Sequence, residues 1–183
     1  MLAGAWKQFT PLYFYTGVAL CLGFFAAGHG LSAAQIALLL GFGVLSWTLI
    51  EYVLHRFIFH YNAKSRLGRK ILYAAHLSHH ENPTATNRIF ASLYLSAPVA
   101  AAYWLVAWGL TGSWAASSYL FIGMTSGYFF YEWLHFQCHH HKSRLRLFRY
   151  LKKYHLLHHY KTPEQRFGVT SPLFDVVFGT FRR

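Results

Sequence analysis

Histidine is the residue whose number and spacing could do chemistry here. Thirteen occur in 183 residues, and ten of them fall into four groups: His55 with His60, His76-x2-His79-His80, His135-x3-His139 and His155-x2-His158-His159. Neutral imidazole is the commonest metal ligand and suits iron, zinc and copper. Helical spacing decides which rings can converge. At ~100° per residue, His79 and His80 lie about 60° to one side and about 40° to the other of His76. One short helix can therefore reach two adjacent metals. His135 and His139 are one turn apart and share a face. His55 and His60 stand about 140° apart on an ideal helix, so they grip different metals or the helix ends between them. His29, His140 and His141 stay outside the set. A lone histidine at the edge of an apolar segment is an ordinary polar residue, but four spaced groups of them point to a two-metal, all-histidine site.

The carboxylates are informative because only five exist. Glu51 stands four residues before His55 and Glu132 three before His135, both late in apolar segments. A carboxylate in a membrane span is costly and needs a partner. Accepting the outer N–H of a ligand histidine would orient the ring and raise its basicity. Glu51 and Glu132 are expected behind the ligands, and Asp175 is a third candidate for that place. The alternative for both glutamates is a pairing with Arg or Lys at the membrane edge.

The elements that must position these residues follow from the charge pattern. No Lys, Arg, Asp or Glu occurs from Phe9 to Ile50, nor from Ile89 to Tyr131. Each stretch is too long for one span, because a bilayer core needs ~20 helical residues. Gly28-His29-Gly30 breaks the first, and Gly109, Thr111, Gly112 and Ser113 mark a turn in the second. Four transmembrane helices in two hairpins result, near 11–28, 32–54, 89–109 and 114–134. Trp104, Trp108 and Trp114 flank the second turn as an interfacial belt. Lys7 precedes the first span, and the other Lys and Arg lie in 55–88 and 135–183. The positive-inside rule then puts all ten grouped histidines on the cytoplasmic side.

Within the basic segments, 61–88 reads as a connector with a helix around Lys70–Ser78. In Ser143–Tyr154, Leu147, Phe148, Leu151 and Tyr154 form one stripe among basic residues. Such a helix lies on anionic headgroups or packs on its own domain. His60 to His76 and His139 to His155 are both 16 residues apart, a faint repeat that suggests two equivalent halves facing one site.

Composition agrees with a single, all-α, membrane-embedded domain over 1–183. The chain is 55% hydrophobic, 20% aromatic and only 12% charged, with net charge +12. Charge segregated between apolar spans favours lipid over nucleic acid as partner. Cys21 and Cys138 make no disulfide framework. No charged leader with a small-residue cleavage site precedes the first span, so it reads as a retained anchor.

The motifs themselves resemble a known family. Glu51-Tyr-Val-Leu-His55-Arg-Phe-Ile-Phe-His60 looks like the first histidine box of the fatty acid 2-hydroxylases, within the fatty acid hydroxylase/sterol desaturase superfamily. His76-Leu-Ser-His79-His80 is similar to their second box and Tyr131-Glu-Trp-Leu-His135-Phe-Gln-Cys-His139 to their third. His155-Leu-Leu-His158-His159-Tyr160, followed by Phe167-Gly-Val-Thr-Ser-Pro-Leu-Phe-Asp175, resembles the last box and its tail. The likeness is strongest over 50–183.

The resemblance implies a cytosolic helical cap over four spans, with the ten histidines holding two metals. It implies O2-dependent hydroxylation of a lipid acyl chain, at the 2-position. Iron is expected for activity, and zinc is a metal such sites can hold. Eukaryotic relatives carry a fused haem domain for which this chain has no room, so a separate donor, a b-type cytochrome or ferredoxin, is expected. The short ends suggest a bacterial inner membrane rather than the endoplasmic reticulum.

An acyl tail would approach past Phe57, Phe90, Phe129 and Tyr131, with its head near Arg56 or Arg88, although no substrate-binding residue is assigned. Sterol or carotenoid hydroxylases and desaturases share similar boxes, and a non-catalytic metal-binding membrane protein is the alternative outside enzymes. Haem would need only about two axial histidines per group, and transport would place ligands near the midplane.

Overall fold

The structure, a computed structural model, describes residues 9–182. Every regular element among them is helical. Lys7, used above for orientation, lies outside the described residues. The chain divides into two compact units, one comprising residues up to Trp47 with Ala91–Phe129, the other Thr48–Phe90 with Phe130 onward.

The first unit is built from apolar helices. Helix α1 spans Thr10–Ala26, with Pro11 in its first turn, where the missing N–H costs nothing. After the Gly28–Gly30 turn, Ser32 and Gln35 cap helix α2 (Ala33–Val53) reciprocally. The Gln35 Oε1 accepts from the Ser32 N–H at 2.9 Å, and the Ser32 Oγ accepts from the Gln35 N–H at 3.3 Å. Two helical stretches, Ala33–Phe59 and Thr86–Thr111, are long and apolar enough to cross a membrane. Leu38, Phe42, Leu105 and Leu110 point outward from them, as Leu20 and Phe24 do from α1. Such continuous exposed apolar surface requires lipid, and the chain is an integral membrane protein.

Helix α5 (Leu93–Thr111) starts four residues later than the span expected from the sequence, because Thr86–Arg88 forms a separate 3-10 turn. It stops at Gly112, whose φ of 60° lets its N–H reach the Trp108 carbonyl. Helix α6 spans Trp114–His140. In the first unit its Ser117, Ser118, Phe121, Met124 and Thr125 are buried. A Cβ on Gly43 would lie 2.3 Å from the Leu120 carbonyl oxygen, and one on Gly123 2.2 Å from that of Leu40. The α2 and α6 backbones therefore touch at this crossing, the close approach that small residues permit in membranes. Polar links join helices where water is absent: Tyr15 donates to Ser96 at 3.0 Å and Ser46 to Tyr103 at 2.9 Å.

The second unit carries the histidines. Helix α6 runs past the expected end of the span to His140, so His135 and His139 extend the same helix. Ser65 caps α3 (Arg66–Leu72), which continues through a π-helical turn, Tyr73–Leu77, into α4 (Ser78–Glu81). Helical structure is thus longer here than the Lys70–Ser78 stretch expected. Helix α7 spans Arg146–Tyr160, shifted towards the C-terminus from the expected Ser143–Tyr154. Leu151 packs with Leu134, Cys138 and Phe148, while Leu145, Leu147 and Tyr150 are exposed. The inner face of α7 thus packs on its own unit, and Leu147 leaves the expected stripe. Helix α8 (Leu173–Val177) follows.

Candidate metal centre

The first pair of histidines shows how local backbone serves the site. Helix α2 gives way to a π-helical turn over Leu54–Phe59. A π turn closes after five residues instead of four, and the His60 N–H donates to the His55 carbonyl at 3.2 Å. Five-residue spacing then puts both rings on one side, with centroids 5.1 Å apart. Of the two alternatives, separate metals or an end of the helix between them, the first assumed α-helical winding; the structure instead replaces the α-helix with a π turn and places both rings in one group.

The ten rings gather into two groups of five. His55, His60, His76, His80 and His158 form one; His79, His135, His139, His155 and His159 form the other. Within each group, one ring nitrogen per residue lies within 4.8 Å of all the others. In the first, the Nε2 of His76 faces those of His55 at 3.0 Å and His80 at 2.9 Å, and the Nε2 atoms of His158 and His80 are 3.2 Å apart. In the second, the His155 Nε2 faces those of His139 at 2.9 Å and His159 at 3.0 Å, and His135 faces His79 at 2.9 Å.

These distances test the fit to a metal. At a metal–nitrogen distance of about 2.1 Å, ligands at right angles sit about 3.0 Å apart and opposite ones about 4.2 Å. The observed spacings are of that size. Hydrogen bonding alone accounts for them poorly, because each neutral imidazole has one N–H and one acceptor nitrogen. His60 Nε2 is also buried without a hydrogen-bond partner. Burial pushes His60 and His80 down to about 4 and His79 down to about 3. The rings of His76, His155, His158 and His159 are lowered too, again first by burial and then by neighbouring histidines. Near neutral pH all are uncharged, with lone pairs available. Each group can hold a metal ion.

The outer contacts come mostly from a loop that carries no metal-binding side chain. The Nδ1–H of His55 donates to the Phe167 carbonyl at 2.5 Å, and that of His158 to the Gln165 carbonyl at 2.7 Å. Glu51, expected to accept from a ligand ring, accepts from the Val169 and Thr170 N–H groups and the Thr170 hydroxyl. Asp175 accepts from the Phe167 and Gly168 N–H groups and the Thr180 hydroxyl. Both carboxylates bind the loop rather than a histidine or a surface cation, because four successive amides converge there and satisfy them without solvent. Glu132 is fully buried one turn ahead of His135. Sequence reading missed the Gln165 and Phe167 carbonyls, since backbone acceptors carry no side-chain signature, and it missed the Thr180 hydroxyl, since a lone threonine carries none either. The Phe167–Asp175 tail that follows the last histidine box was the signal nearest to them.

Tyr52, fully buried, ties the first histidine segment to the same tail. Its ring stacks on Phe178 and its hydroxyl hydrogen-bonds Thr180 at 2.9 Å. Arg56 donates to that hydroxyl at 2.6 Å, and Arg88 donates to the Ser78 carbonyl at 3.0 Å. Both proposed head-group residues therefore have structural partners. Phe90 stacks on Phe136, and Phe57 is exposed.

A profile of the fatty acid hydroxylases matches residues 40–180. The chain belongs to the fatty acid hydroxylase family. It is 37% identical over 155 residues to a dihydroceramide fatty acyl 2-hydroxylase of Arabidopsis thaliana, covering 85% of this chain and 65% of that one. It is 40% identical over 144 residues to the ceramide very long chain fatty acid hydroxylase of Saccharomyces cerevisiae, covering 76% of this chain and 36% of that one. The chain thus spans less than two thirds of the length of these relatives. The solved structure of full-length scs7p, with only its hydroxylase domain visible, superimposes with a TM-score of 0.87 at 32% identity. That match covers 97% of this chain and 67% of the other. The four histidine boxes of this hydroxylase-family chain all fall inside the matched segment.

Proposed function

We propose that the chain is a membrane-bound, two-metal monooxygenase. It would hydroxylate a fatty acyl chain at the carbon next to the carboxyl, using O2 and electrons from a separate donor such as a b-type cytochrome or ferredoxin. The observation that carries this reading is the pair of five-nitrogen groups, in a family whose relatives are named acyl 2-hydroxylases. His55, His60, His76, His80 and His158 would hold one metal and His79, His135, His139, His155 and His159 the other. Two redox-active ions, iron in this proposal, supply the oxygen activation needed to break an unactivated C–H bond. Zinc cannot change oxidation state and would give a form without turnover.

The chain's own residues contribute position and surroundings. The ten rings bring one neutral, ligating nitrogen each, and each neutral imidazole keeps its single N–H on the other nitrogen. Phe59 stacks on His76 and Tyr131 on His135, so an aromatic surface suited to an alkyl chain borders each group. Glu132 is proposed to stand behind His135. Helices α1, α2, α5 and α6 are read as four spans in two hairpins, with the histidine segments as a cytosolic cap; the Lys and Arg of 55–88 and 135–183 support that orientation.

Lipid mass spectrometry on cells expressing the wild type or His79→Ala, grown under isotopically labelled dioxygen with a donor present, tests the proposal. The expected product is an acyl species gaining one labelled oxygen in the wild type alone. Loss of two hydrogens would indicate a desaturase, and identical lipids in both strains would overturn the reading.

A further inference from the structure

We propose that Glu51 and Asp175 are positioning residues for one of the two metals, acting through the backbone of residues 165–170 on His55 and His158. The inference rests on reading the two histidine groups as metal sites. Four consecutive N–H groups, from Phe167 to Thr170, all donate to these two carboxylates. Asp175 is fully buried and Glu51 nearly so. Carboxylates that accept several amide hydrogen bonds hold a backbone firmly, because each bond is charge-assisted.

One peptide unit does more than hold the loop. The Phe167–Gly168 peptide accepts from the His55 Nδ1–H at its oxygen and donates its Gly168 N–H to Asp175 Oδ2 at 2.8 Å. A hydrogen bond at one end of a peptide polarises the group at the other. The negative charge of Asp175 therefore strengthens the Phe167 carbonyl as an acceptor and makes the His55 Nε2 a better donor to metal. The arrangement is a carboxylate–histidine pair with one peptide between its members. Arg166, at φ 61°, is the turn that lets the carbonyls on both sides of it reach histidines. Its own N–H is held by the Thr180 carbonyl at 3.2 Å.

No carbonyl of residues 165–170 is hydrogen-bonded to a ring of the other group among the described residues. The Nδ1 atoms of His79, His135, His155 and His159 are buried and have no hydrogen-bond partner among the described residues. The effect of the two carboxylates is therefore confined to the group of His55.

The test is metal content after dialysis against a graded chelator, with the spectrum of the retained metal recorded, for the purified wild type, Asp175→Asn and Glu51→Gln. His158→Ala and His79→Ala serve as references lacking one ligand of each group. Loss of an outer hydrogen-bonding partner lowers metal affinity about 10- to 100-fold. The Asp175→Asn and Glu51→Gln proteins should then release one metal at that much lower chelator and keep the other. Their retained-metal spectrum should match His158→Ala and differ from His79→Ala. Parallel loss of both metals, or wild-type retention of both, overturns the proposal. A wild type that binds no metal overturns the underlying reading instead. If neither carboxylate variant folds, Thr170→Val, which removes one hydroxyl donor to Glu51, carries the same comparison with a smaller shift in the same direction.

Discussion

Each group of five histidines takes two rings at i and i+4 from one His-x2-His-His segment and a single ring from the other. His76 and His80 join His158, while His155 and His159 join His79. Each group is completed by a spaced pair from the helix before its own segment, His55 with His60 or His135 with His139. The inner plan is thus repeated, and the equal 16-residue gaps in sequence mark the repeat. The outer plan is not. The first group has a π turn at its pair and loop carbonyls behind His55 and His158, whereas the pair of the second sits on a regular α-helix. Approximate symmetry therefore extends only as far as the ring nitrogens, and beyond them the two sites have different mechanical support.

The exchanged rings offer the largest way to break that comparison. His158 belongs by position to the helix of His155 and His159 but reaches the other group. We expect His158→Ala to deplete the same metal as His76→Ala, and His79→Ala the same metal as His155→Ala. Each should leave one metal per chain and abolish hydroxylation. Metal analysis combined with the spectrum of the remaining ion checks this. Depletion of one common metal by His158→Ala and His155→Ala would show that the segments do not cross.

A smaller perturbation sharpens the difference in outer support. A Cβ on Gly168 would come within 2.0 Å of the Ser171 carbonyl oxygen, so the loop must move. Forcing an extra methyl into a packed region costs about 1–3 kcal/mol. Gly168→Ala should lower the melting temperature in detergent and loosen the metal of the His55 group before the other. Equal loosening of both would make the loop a general brace instead of a support for one group.

Much of this architecture was legible from residue types, and the failures have identifiable causes. Uncharged runs marked the apolar helices because lipid excludes charge. Their ends were less certain: α6 continues to His140 because a helix need not stop where apolar composition does. α-Helical angles predicted that His76, His79 and His80 reach two adjacent groups, and the three do reach both, although His76 lies in a π turn. The placement of His55 with His60 did not follow from such angles, since a π turn is invisible to a fixed angle per residue. The partners of Glu51 were also invisible, because they are two amides and one hydroxyl of Val169 and Thr170, more than a hundred residues away, and neither residue type signals a buried carboxylate.

The apolar unit supplies a contrast in kind. Gly43 and Gly123 allow α2 and α6 to touch at backbone distance, about three helical turns before His55 and His135. Gly123→Ala should destabilise the protein by about 1–3 kcal/mol through overpacking. The folded fraction should still carry both metals in equal proportion, as measured by metal content across a size-exclusion peak. Selective loss of one metal would mean that this crossing biases one histidine group, a role that the loop contacts alone would not predict.

The smallest effect comes from a contact that the two groups share. Tyr73 donates to Glu81 at 2.6 Å across the segment holding His76, His79 and His80, which supplies both groups. The bond is exposed, so water replaces it with little net loss. Tyr73→Phe should therefore shift chelator release of the two metals slightly and by the same amount, because the segment frays as a whole. An unequal shift would show that α4 can tilt one ring without the others. Local helix geometry would then add to the tail loop in setting the two sites apart.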